Sequence, residues 1–321
     1  MISVFSYAKE AFHHAKRTVL TFVSWLAAIW GVLSFFLDAK TGLYIFLIMA
    51  SVCVVVAMWT FLKLFVSIKG GRVTVTMFGK RTTTLLRNDF QVNMDYLLHS
   101  LTHEELKRFA FIMGIDITGR LDISSESGVA HWVLKYLDEN YLCEQVSPMD
   151  YIQQELNKEL KSHPSGSLSY GDCVEIRCKL QQKTRTDSDT MIPCNLVLIA
   201  NSRKEVPNNK KLEEKMLDDN MSNIIVPKVF DYLLMTSWYT GCMMGVLGTN
   251  GMRQPYQVIF SQIINQFARV CCKDMRSPML HLYISVRESD YNRFNMSLSD
   301  LEKYVRQCAG YYTTWIQESE V

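Results

Sequence analysis

Two stretches of the chain, residues 18–37 and 41–62, contain no charged side chain. As helices rising about 1.5 Å per residue, each is long enough to match a bilayer core of roughly 30 Å. A secretory signal peptide is the first competing reading. The apolar run is too long for one, no small-residue cleavage site follows, and a second run begins a few residues later. A buried helical hairpin in a soluble domain is the second, although apolar runs beyond roughly 18 residues seldom occur there. The expectation is a two-span transmembrane hairpin over 18–66, with spans at about 18–37 and 43–62.

Charge sets the expected topology. Of 321 residues, 34 are Lys or Arg and 32 are Asp or Glu, a formal charge of +2. That near-neutral total excludes a strongly basic nucleic-acid binder. It hides a basic collar: residues 1–17 carry +2 and residues 63–81 carry +5 with no acid, leaving −5 for 82–321. Lys9, Lys16 and Arg17 precede the first run, and Lys63, Lys69 and Arg72 follow the second. The positive-inside rule then places both termini in the cytoplasm and the chain in the inner membrane as a multi-pass protein. No ionisable residue interrupts either run, which argues against a proton relay. Two helices enclose no lumen, so membrane function would require a homo-oligomer acting on the lipid bilayer.

Nine cysteines are scattered, with no CxxC pair, no HExxH and no His/Cys cluster, so no metal site is expected. The remaining chain alternates strand and helix signals. Residues 72–78 alternate apolar and polar side chains and read as a strand, and 89–98 read as a second one. Thr102 and Glu105 form a capping box opening a helix to about Met113. Helices are expected at 128–140, 150–162, about 221–238 and 255–270. Strands are expected at 172–181, 194–201, 242–248 and 280–286. A final amphipathic helix is expected at 297–321, after a segment 70–296 that forms one ligand-binding domain. Such alternation implies a three-layer α/β domain with a mixed central sheet and ligand chemistry at the carboxyl edge of its strands.

The most informative loop is GVLGTNGMRQP, residues 245–255. An apolar strand runs through Leu247 into Gly248, Thr249, Asn250 and Gly251. Met252 and Arg253 follow, and Pro255 opens a helix. The glycines allow positive φ and let several N–H groups face one side, where the helix start adds partial positive charge. This is an anion cradle suited to a diphosphate; the plain alternative is a strand-to-helix turn.

In order along the chain, these stretches resemble the macro-domain family, whose fold binds ADP-ribose. LGTNGMRQP resembles that family's second phosphate loop. ESGVAHWVL (126–134), with Ser127, Gly128, Val129 and Ala130, resembles the first. QVNMDY (91–96) resembles the Asn-containing ligand loop, at Asn93, and 280–294 resembles the closing strand with a ligand-stacking Tyr291. The first loop carries one glycine rather than a run. Gly79 and Lys80 stand where the family commonly has Gly-Asp, which removes the adenine carboxylate from that position. Residues 102–121 read as a helical insertion between Asn93 and the first loop.

With two apolar helices ahead of it, the domain resembles the membrane effector of type II Thoeris antiphage defence. That resemblance implies a partner TIR-domain enzyme supplying an ADP-ribose-derived nucleotide of the histidine-linked class. It also implies membrane disruption and abortive infection on binding. The ligand-binding residues it implies are Asn93, Ser127, Gly128, Val129, Ala130, Leu247, Gly248, Thr249, Asn250, Gly251, Met252, Arg253 and Tyr291. It implies no catalytic residue and no cofactor beyond the nucleotide ligand. The alternatives are a membrane-tethered ADP-ribosyl hydrolase, with Asn93 and Asp95 as its only candidate polar groups, and a non-catalytic membrane scaffold. His131, on the helix after the first loop, reads first as a packed or surface residue.

Overall fold

The structure is a computed structural model. It describes residues 39–69, 72–76, 81–119, 121, 129–183, 191–202, 224–236, 238–247, 256–273, 279 and 281–287, with isolated positions 20, 23–25, 27–28, 30, 304 and 307. Two compact units are present, Met1–Val73 and Thr74–Val321.

In the first unit, helix α1 spans Ala39–Lys69. Trp30, from the first apolar run, packs tilted against Phe46 with ring centroids 5.6 Å apart. Tyr44, Leu47, Ile48, Val54 and Trp59 are exposed. Among the described residues no helix is long and apolar enough to cross a membrane. That finding corrects the expected transmembrane hairpin and the multi-pass inner-membrane placement drawn from it. The first run is described only at isolated positions.

The second unit is built on an eight-stranded mixed sheet in the order β1-β2-β8-β7-β3-β6-β5-β4. Its strands are β1 Arg72–Thr76, β2 Thr82–Leu86, β3 Phe109–Asp116, β4 Tyr141–Cys143, β5 Cys173–Gln182, β6 Ile192–Ser202, β7 Gly241–Gly245 and β8 His281–Ser285. The first of them begins in the other unit. Five central strands are parallel: β2 to β8, β8 to β7, β7 to β3 and β3 to β6. β5 and β4 add an antiparallel margin. The mixed α/β sheet expected from the alternating pattern is therefore present.

Helices cover both faces. α2 Phe90–Ser100, α3 His103–Lys107, α4 Val129–Asn140 and α5 Pro148–Ser162 lie between the early strands. α6 Val226–Met235 and α7 Tyr256–Lys273 flank β7. Strand alternation divides the core between the faces. On one face Phe109, Phe111, Met113 and Ile115 of β3 join Phe90, Leu134 and Ile152 in a single cluster. Ala110 and Ile112, which alternate with them on β3, are also buried, as are Val229 and Phe230 of α6 and Ile263 and Phe267 of α7.

Two local expectations are corrected. Residues 89–98 form helix α2, not a strand. Phe90, Asn93, Met94, Leu97 and Leu98 are its buried residues, a spacing of three and four that fits a helix and not a strand. The helix opened by Thr102 ends at Lys107, and 109–116 form the central strand β3. What reads as a helical insertion thus contains the middle of the sheet. The capping box itself is present, with the Glu105 N–H donating to Thr102 Oγ1 at 3.3 Å and the Thr102 N–H to Glu105 Oε2 at 2.8 Å.

A buried asparagine ties the amino edge together. Asn195 Nδ2 donates to the carbonyls of Leu106, Lys107 and Phe109 at 3.0–3.1 Å, fixing the α3–β3 junction against the start of β6. Of the expected helix at 297–321 only positions 304 and 307 are described, both helical.

Candidate functional site

Because β2, β8, β7, β3 and β6 run parallel, their carboxyl ends share one edge, where α2, α4 and α7 begin after β2, β3 and β7. Helix amino ends carry partial positive charge and unpaired N–H groups, so this edge is the natural place for an anion.

Asn93 lies in the first turns of α2, 3% exposed. Its Nδ2 donates to Ser285 Oγ at 2.8 Å and to the Asn88 carbonyl at 2.9 Å, with the Leu86 carbonyl at 3.5 Å. Ser285 Oγ in turn donates to the Asn88 carbonyl at 3.2 Å. The side chain therefore braces the exit of β2 against the end of β8. The Val286 N–H donates to the Leu86 carbonyl at 2.8 Å, and Arg287 pairs with Asp89 at 2.9 Å.

The starts of α2 and α4 meet at the end of β7. A Cβ placed on Gly245 would lie 3.6 Å from Phe90 Cδ2 and 3.7 Å from Val129 Cγ2. Ala130 is half-buried beside Val129, and Leu247 is buried. The structure thus brings Asn93, Val129 and the strand leading to Leu247 to one edge. Ser127, Gly128, Gly248, Thr249, Asn250, Gly251, Met252, Arg253 and Tyr291 lie outside the described residues. The ends of the GTNG segment are nevertheless placed: the chain leaves β7 past Leu247 and resumes as α7 at Tyr256. His131 Nδ1, in the first turn of α4, is buried without a hydrogen-bond partner.

Asp95 lies elsewhere. Two positions apart on a helix are about 200° apart, so Asn93 and Asp95 cannot face the same ligand. Asp95 Oδ1 accepts from the Tyr136 hydroxyl and from the Tyr141 hydroxyl at 3.1 Å, and His99 Nε2 is 3.3 Å away. Tyr141 opens β4 opposite Gln182, the last residue of β5, which marks the opposite edge of the sheet. Burial, then the hydrogen bond to Asp95, pushes the Tyr136 phenol well above its ordinary range. Burial, then the Asp95 charge, pushes that of Tyr141 up to about 12. These groups form a neutral phenol shell around a carboxylate, suited to holding α2 against α4 and β4.

The sequence reading missed Asp116, the last residue of β3, because 109–116 read as helix. It is 8% exposed. Its Oδ1 accepts from the Thr118 N–H at 2.8 Å and the Thr118 hydroxyl at 2.7 Å, while Oδ2 is buried without a hydrogen-bond partner. A continuous apolar run ending in an acid is the one trace of it in the sequence. Among the described residues no group of three or more His, Cys, Asp or Glu side chains could hold a metal ion.

No family model matches the chain, and no curated protein matches its sequence. Among solved structures the chain is similar to a mutant of the Oceanobacillus iheyensis macrodomain. The two are 10% identical, with a TM-score of 0.45, over 74% of this chain and 98% of that one.

Proposed function

We propose that the second unit binds an ADP-ribose-derived nucleotide at the carboxyl edge of its sheet and does not turn it over. The observation that carries the reading is the exit of β7. This central parallel strand, flanked by β3 and β8, ends at Gly245, and the ten residues that lead from it to α7 are VLGTNGMRQP. A glycine-bearing turn between a central parallel strand and a helix amino end offers N–H groups to a diphosphate. Net charge supports local recognition: residues 82–321 sum to −5, so a polyanionic ligand gains nothing from bulk attraction.

The binder is favoured over the hydrolase by Asp95. A general base must reach the attacked atom directly or through one water. Asp95 is instead engaged by Tyr136, Tyr141 and His99 near the opposite edge of the sheet. In the order of its motifs the domain suits the receiving component of an antiviral response in which a TIR-domain enzyme supplies the nucleotide. Coupling of binding to self-assembly would require the assembled form to bind the nucleotide more tightly.

The experiment is equilibrium binding of the full chain to labelled ADP-ribose, with the ligand recovered and analysed afterwards. Saturable binding with intact ligand is expected. Steady release of cleaved product would favour the hydrolase, and no retention would remove the nucleotide reading.

A further inference from the structure

Helix α1 of the first unit carries a surface that the proposed function leaves unused. At about 100° per residue, Tyr44, Leu47, Ile48, Val55, Met58 and Trp59 fall within an arc of about 120°. Each of them is 52–70% exposed. Gly42, Met49 and Cys53 lie on the far side, buried or half-buried. That side meets the first apolar run: Trp30 packs against Phe46, and a Cβ on Gly42 would lie 3.6 Å from Trp30 Cη2. One side of the helix is thus covered, and the other is exposed and apolar.

Among the described residues no helix is long and apolar enough to cross a membrane, so a bilayer span does not account for the stripe. Side chains of this size and exposure offer on the order of 800 Å². That is more than the few hundred most monomers leave exposed and about what each partner of a standard interface buries. Residues 41–62 hold no charge, so covering them strands no ion. The Ser51 hydroxyl, within the stripe, already donates to the Leu47 carbonyl at 2.9 Å and needs no partner there. Charge decides the direction of pairing. Residues 63–81, just past the stripe, carry +5 with no acid. Parallel helices would set two such collars side by side, whereas antiparallel helices separate them and oppose the helix dipoles.

We propose that the stripe of α1 seats the same stripe of a second copy of the chain, the two helices antiparallel about a two-fold axis between Ser51 and Val52. The contact is isologous, the commonest kind in homodimers. The axis sets Tyr44 opposite the partner's Trp59 and Ile48 opposite the partner's Val55, each pair occurring twice. The small Ser51 falls at the crossing point, and the aromatic rings fall at the ends, where crossing helices diverge. The contact uses no residue of the nucleotide reading and stands or falls apart from it.

The test is sedimentation equilibrium of the full chain, compared with Ile48→Glu, with Val55→Lys and with an equal mixture of those two variants. Both positions are exposed, so the variants should fold, and melting curves that match the wild type check it. Expected is the mass of two chains for the wild type. Either variant alone should associate about 100-fold more weakly or worse, since it buries an unpaired charge. The mixture should regain the two-chain mass, because antiparallel order brings the two introduced charges together across the contact. Parallel order would leave them about 10 Å apart. A wild type with the mass of one chain overturns the proposal, as does a mass that neither substitution changes. A mixture that stays at one chain overturns the antiparallel pairing. A single-chain wild type that pellets with neutral phosphatidylcholine vesicles assigns the stripe to lipid and overturns the proposal as well.

Discussion

The Asn93 amide donates to the Ser285 hydroxyl at 2.8 Å, joining residues 192 positions apart in the chain. Both are buried, and both also bond the Asn88 carbonyl. One polar pair thus fixes the exit of β2 against the end of β8 at the edge where the nucleotide is proposed to bind.

Asn93→Leu should therefore destabilise the domain by about 1–3 kcal/mol, the cost of leaving buried carbonyl and hydroxyl partners unpaired. Urea unfolding measures it. Ser285→Ala removes one partner only and should cost less. The double variant should cost less than the two single losses added, because the pair shares one network.

Gly114→Ala should cost about 1–3 kcal/mol, because the new methyl displaces Asn201 in a packed layer. Combining it with Asn201→Ala should recover part of that loss. Additive losses in thermal unfolding would show that the two residues do not share the space.

Glu175 is the acceptor of a second network, with Tyr239 donating to Oε1 at 2.7 Å, Tyr232 to Oε2 at 3.0 Å and Arg177 Nε at 2.5 Å. Burial alone would raise its pKa. The hydrogen bonds from Arg177, Tyr239 and Tyr232 outweigh burial and hold it below the ordinary 4.5. A carboxylate depressed in the folded state contributes stability that is present above its unfolded value and lost as pH falls through the folded one. Glu175→Gln should lower stability at pH 7 and flatten the acid limb below about pH 4.5 in urea titrations.

His281, at the start of β8, lies 2.9 Å from Thr82 Oγ1 through Nδ1. Burial, partly offset by the Glu105 charge, pulls its pKa below the ordinary 6.5. Its contribution is therefore complete above pH 6.5 and lost as pH falls through the lowered folded value. Melting temperature should fall as pH is lowered below 6.5, and His281→Gln should reduce that slope.

How much was legible follows local chemistry. The run 242–248 announced a buried strand by being apolar throughout, and β7 is buried at every residue. Thr102 and Glu105 announced a helix start, and it is there. The segment 109–116 was opaque, because FAFIMGID is a continuous apolar run whose period distinguishes neither helix nor strand. Only pairing on both sides, with β7 and β6, makes it the central strand. That misreading hid Asp116. For 89–98, Phe90, Val92 and Met94 suggested alternation, while the tertiary burial of Asn93 and Leu97 follows a helical face. The charge-free runs at the amino end were legible as apolar but did not establish a bilayer span.

The central claim is that the carboxyl edge binds a nucleotide diphosphate through the segment between β7 and α7. Calorimetric titration of the full chain with ADP-ribose tests it most directly, alongside Gly251→Asp, which places a carboxylate in the proposed cradle. The account predicts saturable heat with one ligand per chain, abolished by the substitution. No heat from the wild type, or equal binding by Gly251→Asp, would contradict it.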